Sequence, residues 1–508
     1  METPDVIAVP FPFQGHLNPM LQFCSSLSAR GLKVTLLLTH GVAKSMQFPL
    51  SHCRVELISD GTDAGEPPRT FQEYRTRLQA AVSEGVAAII QKHQKAKVLV
   101  HDSIMSWLLE VGRAAGLRVA SFFTQPAAVC AIYHHMLCGT VKQHTASDST
   151  LRLPSLPAIM EFADLPSFSY FGDIAEEVTD FTINQAFNMP KADCFLINTF
   201  DSLEEQVVKW MAEKWAVKTI GPLVPTIDKT LKGGKHDRID LFELDSESYL
   251  KWLDIREPKS VVYVSFGSVV VMSEEQMEEI AWGLAQSNKY FIWVVRESEL
   301  VKLPKHCNFK TTEKGIIVKW CPQIEILSHE AVACFMTHCG WNSTLEALCL
   351  GVPIVAMPNI ADQSTNAKLI EDVWKVGDGG QTPLSCRRRQ REQRHFHSPA
   401  ASPSLNLSSD NNQRLREASA ASCGYEQHRR RVSRVTLFGL LSFIIFKSSI
   451  FCSSSTINLI WSCRFCGKRC GYKVAADGGG GGGADREVDR VERKEGSGNG
   501  GEREKRDA

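Results

Sequence analysis

Residues 333–350, ACFMTHCGWNSTLEALCL, pass within a few positions from the apolar pattern of a buried strand to the pattern of a helix. Gly340 permits a tight turn between the two elements, and Asn342 or Ser343 can cap the helix. The spacing of Ser343 and Glu346 predicts a capping box. A strand that leads through a glycine turn into a helix is the repeating unit of α/β proteins with a parallel sheet.

The same alternation of apolar runs and helical patterns occurs in two series along the chain. The first series has predicted strands at 6–13, 33–39, 97–102 and 118–123, and its longest predicted helix lies at 70–94. The second series begins with a strand at 260–266 and runs through a helix at 366–374. Residues 222–250 interrupt the rhythm with Pro, Gly and charged residues, as a linker does.

These patterns predict an α/β protein with two doubly wound, Rossmann-like domains that face a cleft. We place the first domain at residues 1–225, an interdomain linker at 226–250 and the second domain at 251–377. Ligands of such sheets bind outside the carboxyl ends of the strands, so the cleft is the expected site.

The composition excludes several classes of protein. Lys and Arg total 57, as do Asp and Glu, so no overall field favours nucleic acid or a membrane surface. The first residues lack the basic and apolar regions of a signal peptide. The 16 cysteines are therefore interpreted as small buried hydrophobes or tail thiols and not as a disulfide scaffold. We expect a cytoplasmic protein.

The sequence changes character after residue 377. Residues 378–508 contain an Arg-rich stretch, an apolar patch at 435–446, a six-glycine run at 478–483 and a charged end. The charged end has too few apolar residues to offset the entropy of ordering, so we predict a mostly disordered tail. The apolar patch is shorter than the roughly 20 residues of a membrane span, so no stable membrane insertion is expected. Tail cysteines such as Cys463 and Cys466 lack the spacing of a zinc site.

Three kinds of chemistry fit the turn around His338. A zinc site would need a second pair of Cys or His residues near Cys339, and the neighbouring sequence has none. A nucleophilic Ser343 would need the G-x-S-x-G elbow, which is missing. A helix N-terminus with free N–H groups and the positive end of the helix dipole is an anion site. Taken alone, the turn fits an ordinary capped helix at least as well.

The wider stretch favours the anion site, in the form of a phosphate site. Residues 320–363, WCPQIEILSHEAVACFMTHCGWNSTLEALCLGVPIVAMPNIADQ, resemble throughout their 44 positions the signature box of the plant family-1 UDP-glycosyltransferases. The resemblance extends over residues 10–377. Motifs such as LISDGTDAG are similar to the branch that glucosylates salicylate, auxin-like acids and thiohydroximates. The resemblance implies the GT-B fold, a UDP-sugar donor in the second domain and a small-molecule acceptor in the first.

The resemblance also implies a set of donor-binding residues. They are Trp320 on the uracil, with Cys321 in the same site; Gln323 and Glu346 on the ribose; Ser268, His338, Asn342 and Ser343 on the diphosphate; Trp341 beside the sugar–phosphate; and Asp362 and Gln363 on the sugar hydroxyls. A closing Gln in this box goes with glucose, which implies UDP-glucose as the donor. Residues 1–377 contain no Asp-x-Asp pair, so we expect no metal and no further cofactor. The charge of the diphosphate would be met by a helix N-terminus, His338 and hydroxyl groups.

A base for the acceptor is expected at His16, just after the first strand in FPFQGH. An imidazole with a pKa near neutrality suits the removal of a proton from a hydroxyl. The resemblance places the catalytic base at this position and gives Asp102, at the end of a neighbouring strand, the role of orienting it. His134 and His135 are interpreted as packing residues. No G-x-G-x-x-G follows the first strand, which argues against a nicotinamide-binding domain.

The resemblance stops at residue 377, where the family continues with a strand and several helices. It therefore implies an incomplete second domain followed by an atypical tail. We expect a monomer that binds a UDP-sugar and a small acceptor and performs a single displacement with inversion. A remnant that binds a nucleotide sugar without turnover is the alternative.

Overall fold

The structure is a computed structural model that describes residues 5–46, 53–63, 67–141, 150–187, 191–225, 239–242, 248–304, 314–376, 457–462 and 469–474. The chain divides into two compact units, Met1–Ser449 and Ile450–Ala508. Both parallel sheets described below belong to the first unit.

The first sheet contains seven strands. Its strands are β1 (Asp5–Val9), β2 (Lys33–Thr39), β3 (Arg54–Ile58), β4 (Ala96–Asp102), β5 (Arg118–Phe123), β8 (Cys194–Ile197) and β9 (Val217–Thr219); a separate short pair is formed by β6 (Thr150–Leu151) and β7 (Met160–Glu161). The accompanying helices are α1 (Gln14–Ala29), α2 (His40–Ser45), α3 (Phe71–Lys92), α4 (Leu108–Ala114), α5 (Ala127–Leu137), α6 (Ala175–Ile183) and α7 (Glu205–Ala212). The strands lie in the order β3-β2-β1-β4-β5-β8-β9, and every pairing is parallel.

The second sheet contains five parallel strands. They are β10 (Val261–Ser265), β11 (Tyr290–Val294), β12 (Gly315–Val318), β13 (Val332–Thr337) and β14 (Ile354–Ala356). Its helices are α8 (Ser248–Asp254), α9 (Glu274–Ser287), α10 (Gln323–Leu327), α11 (Trp341–Leu350) and α12 (Gln363–Lys368), and a π-helical turn, Leu369–Trp374, continues α12. The order is β12-β11-β10-β13-β14. This is the GT-B fold, with two Rossmann-like sheets.

The apolar runs of the sequence form strands because helices cover both faces of each sheet. All five residues of β10 are buried, and only the first residue of β2 is exposed. Such two-sided burial explains why central strands have continuous apolar sequences without alternation. The edge strand β3 is different, because only its last residue is buried.

Helix ends follow local chemistry in some places and long-range contacts in others. Ser273 and Gln276 form a capping box at the start of α9. The predicted capping box at Ser343 is wrong. Helix α11 begins at Trp341 after Gly340, with no side-chain cap, so Ser343 lies inside the first turn and bonds elsewhere.

Other boundaries differ from the sequence prediction. The first strand ends at Val9 and not at residue 13, because the chain turns there and α1 begins at Gln14. Strands β3, β8 and β9 were not predicted, since they are short or lack a continuous apolar run. Helix α8 begins at Ser248, within the predicted linker, most of which lies outside the described residues.

Backbone and side-chain hydrogen bonds join the two domains around α12. Ser167 and Ala361 exchange two backbone hydrogen bonds in an isolated antiparallel bridge. Trp374 donates its indole N–H to the carbonyl of Leu203 at 3.0 Å. The first domain thus holds both ends of the turn-and-helix segment that contains α12.

In the second compact unit, strands β15 (Ile457–Ser462) and β16 (Arg469–Val474) form an antiparallel hairpin. Both strands lie within the predicted tail, 378–508. The remaining predictions for 378–508, including the disorder, the apolar patch at 435–446 and Cys463 and Cys466, lie outside the described residues. Within the described part, no helix is long and apolar enough to cross a membrane.

Candidate active site

Each sheet has one point where the strand order reverses, and the candidate residues cluster at these two points. In the first sheet it lies between β1 and β4, which are followed by His16 and end in Asp102. In the second it lies between β10 and β13, which lead to Ser268 and His338. Crevices at such switch points are the usual ligand sites of doubly wound sheets.

His16 is held by two side chains from neighbouring strands. Its Nδ1 lies 2.8 Å from Asp102 Oδ2 and 3.1 Å from Thr124 Oγ1. Asp102 is fully buried, whereas the imidazole keeps 21% of its surface exposed. The other carboxylate oxygen of Asp102 accepts from the N–H of Ile104, which fixes the carboxylate. The contacts to Nδ1 leave Nε2 of the partly exposed ring available for a proton.

His338 lies between two glycines that the packing requires. A Cβ atom at Gly267 would lie 2.6 Å from the imidazole, and Gly267 has a φ of +72°. A Cβ atom at Gly340 would also overlap Nε2 of the ring. The turns after β10 and β13 can therefore approach each other this closely only around glycine backbone.

Burial lowers the pKa of His338 to about 4, and the nearby charge of Arg296 acts in the same direction. The imidazole is therefore neutral at physiological pH and has a single N–H, and its hydrogen bond with the Ser265 backbone opposes the shift. Arg296 is itself buried, and its guanidinium donates to the carbonyls of Gly267 and Val270 at 3.1 and 2.5 Å. Nothing in the sequence indicated Arg296, because the two carbonyls that it binds belong to residues 26 and 29 positions earlier in the chain.

Gln323, Ser343 and Glu346 form one hydrogen-bonded group. The amide nitrogen of Gln323 donates to Ser343 Oγ at 2.9 Å and to Glu346 Oε2 at 2.7 Å. Burial raises the pKa of Glu346 to about 7, although the bond from Gln323 opposes this shift. Tyr263 donates to Gln323 Oε1 at 3.4 Å and fixes the orientation of the amide.

Trp320 and Cys321 follow β12 and have different environments. Cys321 is buried, with its sulfur 3.7 Å from the hydroxyl of Tyr263, so it is a packing residue beside the group just described. The half-buried Trp320 packs its ring against Phe242 and donates its indole N–H to Asp240. Cys339 is also fully buried, as expected for a small packing residue.

Two residues at the start of α11 connect the domains. The indole N–H of Trp341 donates to the carbonyl of Asn198 at 2.6 Å. The amide nitrogen of Asn342 donates to the carbonyl of Gly15 at 2.8 Å, one residue before His16. The N-terminus of α11 thus reaches the same region as the imidazole of His16.

Asp362 and Gln363 lie at the start of α12. Burial raises the pKa of Asp362 to about 6, and bonds from Asn366 and its own backbone, then the charge of His16, oppose the shift. Asp362 is therefore within electrostatic reach of His16. The carbonyl oxygen of Gln363 accepts from the N–H groups of Asn359 and Ile360 at 2.9 and 3.0 Å. These bonds fix the amide so that its NH₂ group is the part left to donate.

Ser268 is half-buried in the turn after β10 and makes no side-chain hydrogen bond within the described part of the chain. The sequence motifs did not single out two residues of this site: Thr124, which bonds to His16, and Arg296. Thr124 directly follows a predicted strand that neighbours the strand of Asp102, which is the only sequence signal that could have indicated it.

His134 and His135, which lie outside the site, have packing roles. His135 stacks on Trp210 with ring centroids 5.3 Å apart, and His134 packs edge-on against Trp215 at 4.8 Å. This agrees with their interpretation from the sequence. Among the described residues, no group of three or more His, Cys, Asp or Glu side chains is arranged to hold a metal ion.

Two Rossmann-like domains with facing switch points define the class of GT-B glycosyltransferases. A family model described as "UDP-glucoronosyl and UDP-glucosyl transferase" matches residues 244–384, and one described as "Glycosyltransferase, N-terminal domain" matches residues 2–48. The chain is 45% identical to UDP glycosyltransferase 9 of Catharanthus roseus over 397 residues, 74% of this chain and 83% of that protein. It is 42% identical to UDP-glycosyltransferase 74E2 of Arabidopsis thaliana over 73% of this chain and 84% of that protein.

A solved structure of a UDP-binding plant protein is also similar to this chain. The crystal structure of Os79 from O. sativa in complex with UDP is 31% identical and superposes with a TM-score of 0.66. The match covers 87% of this chain and 99% of that chain. The chain therefore belongs to the plant UDP-glycosyltransferase family, and it is an enzyme that transfers a sugar from a UDP-sugar to a small molecule.

Proposed function

We propose that the enzyme transfers glucose from UDP-glucose to a hydroxyl or carboxylate of a small acceptor, with inversion at the anomeric carbon. The observation that carries the proposal is the 2.8 Å contact between His16 Nδ1 and the buried carboxylate of Asp102. Asp362, on the donor side, lies within electrostatic reach of the same imidazole. Both observations support a single centre that contains the proposed base and the proposed sugar site.

In this proposal His16 is the general base. Asp102 accepts from Nδ1–H, which selects the tautomer with a bare Nε2 that takes the proton of the acceptor hydroxyl. The carboxylate also stabilises the imidazolium that forms. Thr124, directly after β5, also contacts Nδ1 and so restricts the orientation of the His16 ring.

The donor would lie along the second sheet. Trp320 offers a ring face to the uracil, while Gln323 and Glu346 meet the ribose hydroxyls. An ionised Glu346 can accept hydrogen bonds from both hydroxyls. Gln363 presents its NH₂ group and Asp362 its carboxylate to the glucose hydroxyls.

The leaving group would be stabilised by fixed dipoles and N–H groups at the second switch point. Helix α11 is 10 residues long, and its N-terminus is free of a side-chain cap. Its N–H groups, the neutral imidazole of His338 and the hydroxyls of Ser268 and Ser343 face the position proposed for the diphosphate. The Nδ2 of Asn342 is used by Gly15, so we assign its diphosphate contact to the backbone N–H. We propose that this set acts without a metal or a further cofactor.

The role of His16 depends on the ionisation of the acceptor. A phenol must lose its proton to attack, whereas a carboxylic acid is already ionised near neutral pH. His16 therefore acts as a base for phenols and positions carboxylates. We propose small phenols and hormone-like acids as acceptors, a monomeric enzyme and a cytoplasmic location.

Incubation of the purified protein with labelled UDP-glucose and a panel of phenols and carboxylic acids tests the proposal. We expect a glucoside or glucose ester whose anomeric proton shows inverted, β configuration by NMR. Retention of configuration would contradict the single displacement. Retained UDP binding without any product would favour the alternative of a non-catalytic remnant.

A further inference from the structure

Residues 239–242, Ile-Asp-Leu-Phe, form a short segment that we call the strap, and α1 holds it by three hydrogen bonds. The side chain of Gln14 donates to the carbonyl of Ile239 at 2.5 Å and accepts from the N–H of Leu241 at 2.9 Å. Asn18 Oδ1 accepts from the N–H of Ile239 at 2.8 Å. Gln14 is buried, and Ile239 is fully buried in the apolar layer under α1. The strap is therefore part of the first domain's core.

The other side of the strap contacts Trp320 in the second domain. Asp240 Oδ1 accepts from the indole N–H at 3.4 Å. The ring of Phe242 lies with its centroid 4.5 Å from that of Trp320, at an interplanar angle of 33°. This spacing is that of a favourable offset aromatic pair. One ring face and the polar edge of Trp320 are thus both held by the strap.

We propose that the strap positions Trp320 for the base of the donor, and that Asp240 and Phe242 are positioning residues for UDP-glucose recognition. The inference rests on the proposed function, in which Trp320 stacks on the uracil. Phe242 covers part of the indole, and the proposal places the base on a part of the ring that Phe242 does not cover. A ring fixed before binding loses less rotamer freedom when the ligand arrives, which increases affinity.

The strap also connects the donor site to the helix of the base. Gln14 and His16 lie two positions apart on α1, yet Gln14 acts on the strap. A substitution at Gln14 is therefore expected to change the affinity for the donor more than the affinity for the acceptor. A residue that only stabilised α1 would affect both.

The first test replaces the ring in contact with Trp320. We expect Phe242→Leu to raise the Kd of UDP and the KM of UDP-glucose about 3- to 10-fold, the loss typical of one aromatic pair. The KM of the acceptor should stay the same, and Phe242→Tyr should restore the affinity. Phe187→Leu is the control, because Phe187 is 58% exposed and lies outside the site. Calorimetric titration gives the Kd of UDP, steady-state kinetics gives the two KM values, and thermal unfolding shows whether a variant is still folded.

The second test acts from the first domain. Gln14→Leu should raise the Kd of UDP in the same range, with Gln79→Leu on the exposed face of α3 as its control. If Trp320→Ala weakens UDP binding while Phe242→Leu and Gln14→Leu do not, the inference is overturned and the proposed function stands. If Trp320→Ala leaves the Kd unchanged, the proposed donor site fails, and the strap inference fails with it.

Discussion

At the scale of single residues, the site depends on close backbone packing and on side chains whose ionisation is set by burial. Glycine at 267 and 340 leaves room for the ring of His338, and burial keeps that ring neutral. The signature box indicated His338 and Gly340 but does not include Gly267. It could not indicate that the two turns meet across one imidazole, because Gly267 and His338 come from different strands.

Gly267→Ala tests this packing. The added methyl group would overlap His338, and alanine at a φ of +72° is strained. Gly116→Ala is a matched control, since Gly116 has a φ of +73° and no atom within 4 Å of a built Cβ. We expect both variants to lose about 1–2 kcal/mol of unfolding free energy from the backbone strain. Only Gly267→Ala should also lose UDP binding by calorimetry, and equal UDP affinities would reject the packing argument.

The ionisation of Glu346 should make the affinity for UDP-glucose depend on pH. With a pKa of about 7, Glu346 ionises near neutral pH, and the ionised form, in which both oxygens accept, suits the two ribose hydroxyls better than the acid does. Binding of UDP-glucose should therefore be about tenfold tighter at pH 8 than at pH 6. Glu346→Gln should flatten this difference, and a pH profile identical to that of the unsubstituted enzyme would contradict the assignment.

The ionisation of Glu346 has the opposite effect on stability: a rise in pH weakens the folded state, whereas it strengthens donor binding. Its folded pKa is raised from 4.5, so the folded state retains a proton that the unfolded state releases between about pH 4.5 and 7. The contribution of Glu346 to stability in the absence of donor is therefore present at low pH and decreases as the pH rises through this window. Urea unfolding of the enzyme and of Glu346→Gln at several pH values measures it.

At the scale of elements, sequence patterns predicted the central strands well and the edges poorly. The strand β2 was predicted with its observed bounds because it is buried on both faces, whereas β3 and β9 have few buried residues to mark them. The start of helix α5 could not be predicted from the local sequence either. Its first N–H groups, at Ala127 and Ala128, donate to the carboxylate of Glu204, which is distant in sequence.

The turn 266–270 is the element on which the proposed phosphate site depends most, and Arg296 holds it. Arg296→Lys keeps the charge but loses the fork that reaches two carbonyls. We expect a loss of about 1.5–3 kcal/mol in stability, typical of a bond to a charged group, and a Kd for UDP raised about tenfold. Arg118→Lys, whose side chain is 80% exposed, should change neither quantity. If the two variants bind UDP equally well, the turn does not depend on Arg296.

At the scale of the whole molecule, the site exists only because two domains meet. The resemblance predicted the GT-B fold and the enzyme class, and both are confirmed. The contacts that join the domains had no sequence signal, since they pair side chains with distant backbone carbonyls. Trp341 with Asn198 and Trp374 with Leu203 are two such contacts.

Substitutions of these two tryptophans should have similar effects on stability and different effects on UDP binding. Trp341→Phe and Trp374→Phe each remove one N–H donor to a backbone carbonyl, so each should cost about 1 kcal/mol or somewhat more of unfolding free energy. Trp341 begins α11, at the proposed diphosphate site, so its variant should also bind UDP more weakly. The Trp374 variant should bind UDP normally. A Trp374→Phe enzyme with weakened UDP binding and unchanged stability would contradict this division.

The central claim is that His16 is the base of a centre whose donor site is on the other domain. The most direct test compares His16→Ala with the unsubstituted enzyme in glucose transfer to a phenol, alongside calorimetric titration with UDP. The account predicts that kcat for the phenol falls by at least about 100-fold, the usual contribution of a positioned base, while the Kd of UDP is unchanged. Unchanged turnover of the phenol in the His16→Ala enzyme would contradict it.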